Sequence, residues 1–302
     1  MTITTIRKGA DGLIRPALIL LLAAFLLTGC AGKETVYEDY ASAGAYCEEQ
    51  YAAHSQSFSV TVHTSDYNQI LGPGFVWDKV QKESVVHNGD PGQGDHLAIG
   101  IMGYSLTSRA GKQEGSACDL KMTVEPVYAT TAEQEDELAR TADAILQSLD
   151  LDGASEYDKA LAIYRFICDH VVYDYDHLDD TSYLLPYSAY AAATKGTAVC
   201  AGIADLFYYL ANSAGLDARI VTNANHAWNF VRVDGRYYYV DATWDLGRSE
   251  MEYGYFLKGS ADFEHHLGNI SFGPEGFSNL LTGSDLGYDF SPWSYGYDPY
   301  AF

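Results

Sequence analysis

The sequence predicts an α+β protein in which a β-rich stretch precedes a helical one that ends in a hairpin. Three observations carry this. Ser57–His63 and Asp119–Val124 alternate apolar and polar residues, the period of half-buried strands. From Thr131 to Ala214, apolar residues instead recur every three or four positions, as on one face of a helix. Finally, Asp234-Gly235 separates two strand-like runs, His226–Val233 and Arg236–Asp241, and is a strong signal for a two-residue hairpin turn.

The elements follow in order. Arg7, Lys8 and Arg15 precede an uncharged run, Ala17–Leu27, too short for a membrane span and of the length of a signal-peptide core. It ends Leu27-Thr28-Gly29-Cys30, which resembles the lipobox of bacterial lipoproteins. That resemblance implies removal of residues 1–29, lipidation of Cys30 and an extracytoplasmic, membrane-anchored protein held by its acyl chains. Residues 30–45 then read as a tether, 46–127 as a β-rich region, and 128–302 as a second domain. Asn88–Gly92 and Arg109–Lys112 are turn-like.

Loss of residues 1–29 removes three of the 18 basic and one of the 41 acidic residues, leaving a net charge of −25. So acidic a chain repels nucleic acid, which excludes that partner class. Of the five cysteines, Cys47 and Cys118 are candidates for a disulfide if the compartment is oxidising.

Thr131-Ala132-Glu133-Gln134 has capping-box spacing and opens a helix whose stripe is Leu138, Ala142, Ile145 and Leu149. A second start at Ser155 leads Leu161, Tyr164, Cys168 and Val171, which makes Cys168 a core thiol. The loop carrying Asp174, Asp176, Asp179 and Asp180 lacks the spacing of a calcium loop and reads as solvated. A short helix near 188–193 and Gly196 follow.

Cys200 opens the next helix, with Ile203, Phe207, Leu210 and Ala214 on its apolar face and Gly215 as its stop. A thiol there faces unpaired backbone N–H groups and the positive end of the dipole. Both favour thiolate, and the same N–H groups can hold an oxyanion. The hairpin supplies the rest. Its two-residue turn faces Trp228 to Asp241 and His226 to Thr243. His226 and Asp241 are then diagonal neighbours on one face, roughly 7–8 Å apart at the backbone. An imidazole oriented by a carboxylate is what a thiol nucleophile needs beside it.

Gly196-Thr197-Ala198-Val199-Cys200-Ala201-Gly202, Asn225-His226-Ala227-Trp228-Asn229 and Tyr239-Val240-Asp241-Ala242-Thr243-Trp244-Asp245 resemble, in order and spacing, the core motifs of transglutaminase-like domains. The resemblance covers roughly residues 130–260. It implies a papain-like α+β core, with the nucleophile on a helix N-terminus and the His and Asp on adjacent antiparallel strands. Cys200 would be the nucleophile, His226 the base and Asp241 the orienter. One departure is Ala201, where bacterial relatives often carry Gln. The implied activity is a thiol enzyme acting on amide bonds through a thioester, by hydrolysis or amine transfer, on a protein or peptide substrate associated with the cell wall. No cofactor is called for. The alternative is a catalytically silent binding or assembly module on the same fold.

Trp228 and Trp244 are candidates for the walls of a substrate cleft, and Tyr190 for a side-chain oxyanion donor. His265-His266 lacks supporting ligand spacing, so no metal is expected. The aromatic tail from Tyr288 to Phe302 is expected to pack back on the domain.

Overall fold

The computed structural model describes residues 2–5, 35–67, 72–178, 180–223, 225–259, 261, 263, 266 and 270–272. The signal-peptide core, Cys30, His265 and the tail from Tyr288 lie outside the described residues. The chain forms two compact units, Met1–Gln134 and Glu135–Phe302.

In the first unit, β1 (Thr2–Thr5), β2 (Val36–Tyr37), β3 (Phe58–Thr64), β4 (Ile101–Ala110) and β5 (Cys118–Tyr128) form one sheet in the order β1-β4-β5-β3-β2. β3 and β4 both pair antiparallel with β5. Alternation works as the sequence predicts: Val60, Val62, Leu120, Met122 and Val124 are all buried in one core.

This unit also holds helices α1 (Tyr40–Ala52), α2 (Gly72–Glu83) and α3 (Asp95–Gly100), so it is mixed rather than β-rich. α1 starts inside the stretch that reads as a tether. Asp39 caps it by accepting the Ser42 N–H at 2.7 Å. Its buried face is Ala43, Gly44, Cys47 and Tyr51, a stripe of small residues with little apolar signal. Gly44 is required by close approach: a Cβ there would lie 2.3 Å from the Glu83 Cβ at the end of α2.

The expected Cys47–Cys118 disulfide is absent: both are free, buried thiols. Cys47 sits mid-helix in the core of α1, where burial pushes its thiol up to about 12. Cys118 opens β5 opposite Thr64, at the far end of the β3 ladder. The two side chains belong to different elements that do not bring them together.

The second unit carries the site. α4 (Ala132–Leu149) has the predicted capping box: Gln134 N–H donates to Thr131 Oγ1 at 3.4 Å, and Thr131 N–H to Gln134 Oε1 at 2.9 Å. α5 (Glu156–His170) is capped by Ser155, which accepts the Asp158 N–H at 3.1 Å. Next come β6 (Val172–Tyr173), α6 (Ala189–Lys195), β7 (Thr197–Ala198) and α7 (Cys200–Ser213), with β6 and β7 paired in parallel. β8 (Asp217–Asn223), β9 (Ala227–Val233), β10 (Arg236–Val240) and β11 (Ile270–Phe272) form a sheet ordered β10-β9-β8-β11. The core joins Leu138, Ile163, Ile167, Ile203, Phe207 and Leu210 to Val231 and Val233 of the sheet. Among the described residues, no helix is long and apolar enough to cross a membrane.

Candidate active site

The site is assembled from the start of α7 and the open end of the β9–β10 hairpin. Asp234 and Gly235 both take positive φ, 49° and 77°, and Val233 pairs with Arg236. This is the predicted two-residue turn and register. The ladder ends at Asn229–Val240. Asp241 leaves the strand with its N–H on the Tyr255 carbonyl at 3.0 Å. A 3-10 turn, Ala242–Asp245, follows. Buried Asp245 holds that turn: Oδ2 accepts the Tyr164 hydroxyl and the Tyr255 N–H, both at 2.8 Å, and Oδ1 the Gly254 N–H at 3.0 Å. The Tyr164 hydroxyl also reaches the Asp241 carbonyl at 2.8 Å.

Cys200 is the first residue of α7 and is half-buried. Its position is pinned from behind. Val199 N–H donates to the Pro186 carbonyl at 3.0 Å, and buried Asp205 accepts the Ala189 N–H at 2.8 Å. Gly202 packs so closely on the 186–188 loop that a Cβ would lie 2.6 Å from the Pro186 oxygen and 2.7 Å from that of Ser188. Asn229 of β9 donates its Nδ2 to the Ala204 carbonyl of α7 at 2.8 Å, so helix and hairpin share a hydrogen bond.

His226 Nε2 lies 2.6 Å from Asp241 Oδ2. With Nε2 committed, the Cys200 side chain, also within hydrogen-bonding reach of His226, is left to Nδ1. Asp241 is 1 % exposed, and its Oδ1 accepts the Thr243 N–H at 2.9 Å. Burial alone would raise the Asp241 carboxyl, yet its bonds to two imidazoles hold it below the ordinary carboxylate range. Burial alone would lower His226, but Asp241 and Cys200 outweigh it and push the imidazole up to about 10. The direction of that shift favours the protonated ring, the form that can give a proton to a leaving group.

The second imidazole on Asp241 is His266, whose Nε2 lies 2.8 Å from the same Oδ2. Sequence reading treats His265-His266 as an isolated pair, and only the tertiary fold brings His266 here. His226, Asp241 and His266 present ligand atoms within 4.8 Å of one another, a donor set suited to zinc, although hydrogen bonds already join them.

The aromatic candidates separate. Trp244 is 42 % exposed, with its ring 5.8 Å from that of His226, beside the site and open to solvent. Trp228 is 1 % exposed and stacks on His226 at 5.9 Å; it is a floor within the core, not a cleft wall. Tyr190 does not reach the site: its hydroxyl donates to Glu137 of α4 at 2.9 Å because α6 turns it toward that helix. Tyr173 stands where Tyr190 was expected. The β6–β7 pairing sets it opposite Ala198, and its phenol comes within hydrogen-bonding reach of both the Cys200 side chain and backbone N–H. Burial and the neighbouring sulfur raise that phenol above its usual value. Cys168, in the α5 core, donates to the Ala242 carbonyl at 3.9 Å.

Residues 143–242 match the family model of the transglutaminase-like superfamily. The match contains Cys200, His226 and Asp241; His266 lies beyond it. Among solved structures, a transglutaminase is similar at TM-score 0.33 and 16 % identity over 72 % of this chain and 57 % of its own. A candidate cysteine protease from Cytophaga hutchinsonii is similar at 0.26 and 17 %, over 46 % of this chain and 64 % of its own. A candidate protease from Parabacteroides distasonis is similar at 0.26 and 11 %, over 62 % of this chain and 43 % of its own. The chain thus spans less than two thirds of each. No curated protein sequence matches it.

Proposed function

We propose that this protein is a thiol enzyme that cleaves or exchanges amide bonds through Cys200, His226 and Asp241. The observation that carries the reading is the 2.6 Å bond between His226 Nε2 and a buried Asp241, with the Cys200 thiol, at a helix N-terminus, within hydrogen-bonding reach of the same ring. An imidazole beside a thiol and oriented by a carboxylate is the arrangement a thiol nucleophile needs.

The thiolate attacks an amide carbonyl and forms an S–C bond. The carbonyl oxygen becomes an oxyanion, with the Cys200 backbone N–H and the Tyr173 hydroxyl as its donors. Collapse breaks the C–N bond, and His226 delivers its proton to the departing amine or ammonia. A thioester remains on Cys200. Neutral His226 then takes a proton from water or from an incoming amine, which attacks the thioester. The S–C bond breaks, the product is an acid or a new amide, and the thiolate and imidazolium are restored. Asp241 keeps the imidazole in one orientation throughout and stabilises its charge. Trp244 is the exposed surface on which the substrate chain rests.

We further propose that the protein works outside the cytoplasm, anchored through a lipidated Cys30, where protein and peptide chains of the cell envelope are its substrates. The lipobox-like Leu27–Cys30 and the uncharged run before it support that placement.

The test is intact-mass spectrometry of the protein with a Gln-containing protein or peptide and hydroxylamine. Hydroxamate formation that needs Cys200 supports acyl transfer, and new peptide termini support hydrolysis. The absence of any Cys200-dependent product across a panel of envelope proteins favours the silent-module reading.

A further inference from the structure

His266 is a histidine in an aromatic cage where a phenylalanine would pack as well. Its ring stacks on Phe263 at 4.0 Å and meets Trp244 at 4.5 Å, Trp228 at 5.4 Å and Tyr255 at 5.5 Å. It is 2 % exposed. Among the described residues its Nδ1 is buried without a hydrogen-bond partner, and Nε2 meets only Asp241. Leaving a buried polar atom unpaired is costly. Packing alone therefore does not account for an imidazole here, and the Asp241 bond does.

A carboxylate only accepts, so Nε2 of His266 carries the hydrogen. Two imidazole N–H groups thus converge on one oxygen, at 2.6 and 2.8 Å, while the Thr243 N–H holds the other. Without His266, Oδ2 would be located by His226 alone, and the Thr243 N–H on Oδ1 would be left to hold the carboxylate against rotation. Among the described residues, the titratable groups facing His226 are Asp241 after β10, Cys200 on α7 and His266, with Tyr173 within reach of Cys200. The remaining neighbours, Trp228 and Trp244, are uncharged rings.

We infer that His266 is a positioning residue of the Cys200–His226–Asp241 site, its Nε2–H fixing the Asp241 oxygen against which His226 is aligned toward the thiol. The inference rests on the triad reading given above.

The test measures iodoacetamide alkylation of Cys200 by mass spectrometry in the full chain, from pH 4 to 8 with EDTA present. H266F keeps an aromatic ring in the cage but has no N–H. H266Q carries an N–H to about the position of Nε2, and H266N falls short of it. H266F is expected to slow alkylation at pH 6 by roughly tenfold and to move the acid limb up by about one pH unit. H266Q is expected to stay within about threefold of wild type. A merely structural role would lower the melting temperature without moving the limb. Wild-type behaviour in H266F overturns the inference. If H266F does not fold, H266Q and H266N carry the test, and equal rates in the two overturn it. Unselective alkylation in the wild type overturns the triad reading and this inference together, whereas a reactive wild-type Cys200 with an unchanged H266F overturns this inference alone.

Discussion

The side chain of Asn229 donates to the Ala204 carbonyl at 2.8 Å and, through the same nitrogen, to the Arg219 carbonyl at 3.2 Å. One buried amide thus ties the helix that carries Cys200 to β8 and β9, the strands that flank His226. The spacing of nucleophile and base is a property of this joint as much as of the three residues themselves. Asn229→Ala leaves two buried carbonyls without that donor and is expected to cost about 1–3 kcal/mol. Chemical denaturation measures the loss. Cys200 alkylation should slow alongside it, and unchanged alkylation in a destabilised variant would show that helix and hairpin keep their spacing without the amide.

Gly202 makes a sharper prediction about the same helix. A methyl group at that position meets two backbone oxygens at 2.6 and 2.7 Å, and neither is a flexible side-chain end. Gly202→Ala is expected to destabilise by about 1–3 kcal/mol through overpacking and to displace the first turn of α7. Thermal unfolding and Cys200 alkylation should therefore fall together. A variant with wild-type stability contradicts the packing described.

The two tryptophans should part company. Trp228 is buried on the underside of His226, so Trp228→Ala opens a cavity and is expected to cost about 3–5 kcal/mol. Trp244 is partly exposed, and Trp244→Ala should leave the melting temperature nearly unchanged while lowering kcat/KM on peptide substrates. If Trp244→Ala turns over substrate like the wild type, this face does not bind the substrate chain.

Stability should depend on pH through the His226–Asp241 pair. His226 is raised in the folded state, so its contribution is complete below the unfolded value near 6.5 and is lost as pH rises through about 10. Asp241 is lowered, so its contribution is present above the unfolded carboxylate value and is lost as pH falls through the folded one. The stability gap between wild type and Asp241→Asn should therefore be widest from about pH 4 to 6.5 and narrow toward pH 10. A gap independent of pH, measured by thermal denaturation across that range, contradicts the ion-pair assignment.

Much of this site is legible in the sequence because its geometry is local. Asp234-Gly235 dictates the turn, the turn dictates the register, and the register brings His226 and Asp241 together. Ser155 and the Thr131–Gln134 box mark helix starts through side chains that satisfy backbone N–H groups. The illegible parts are long-range or weakly apolar. α1 buries Ala43, Gly44 and Cys47, too small to register as an apolar stripe. Tyr173 and Tyr190 are both tyrosines shortly before Cys200, and only the β6–β7 pairing and the facing of α6 distinguish them. His266 follows Asp241 by 25 residues in irregular chain, where no periodicity announces its partner.

Among the four cysteines in the described residues, Cys200 is the one placed for activation, and selective alkylation distinguishes it from the rest. Brief treatment with iodoacetamide at pH 6, read by peptide mass spectrometry, compares Cys200 with Cys47, Cys118 and Cys168, all three of them buried. Cys200 is expected to be modified fast, at least about tenfold above the other three, and modification should be suppressed in His226→Ala. Slow labelling of Cys200 at the rate of Cys168, or fast labelling that survives loss of His226, would contradict it.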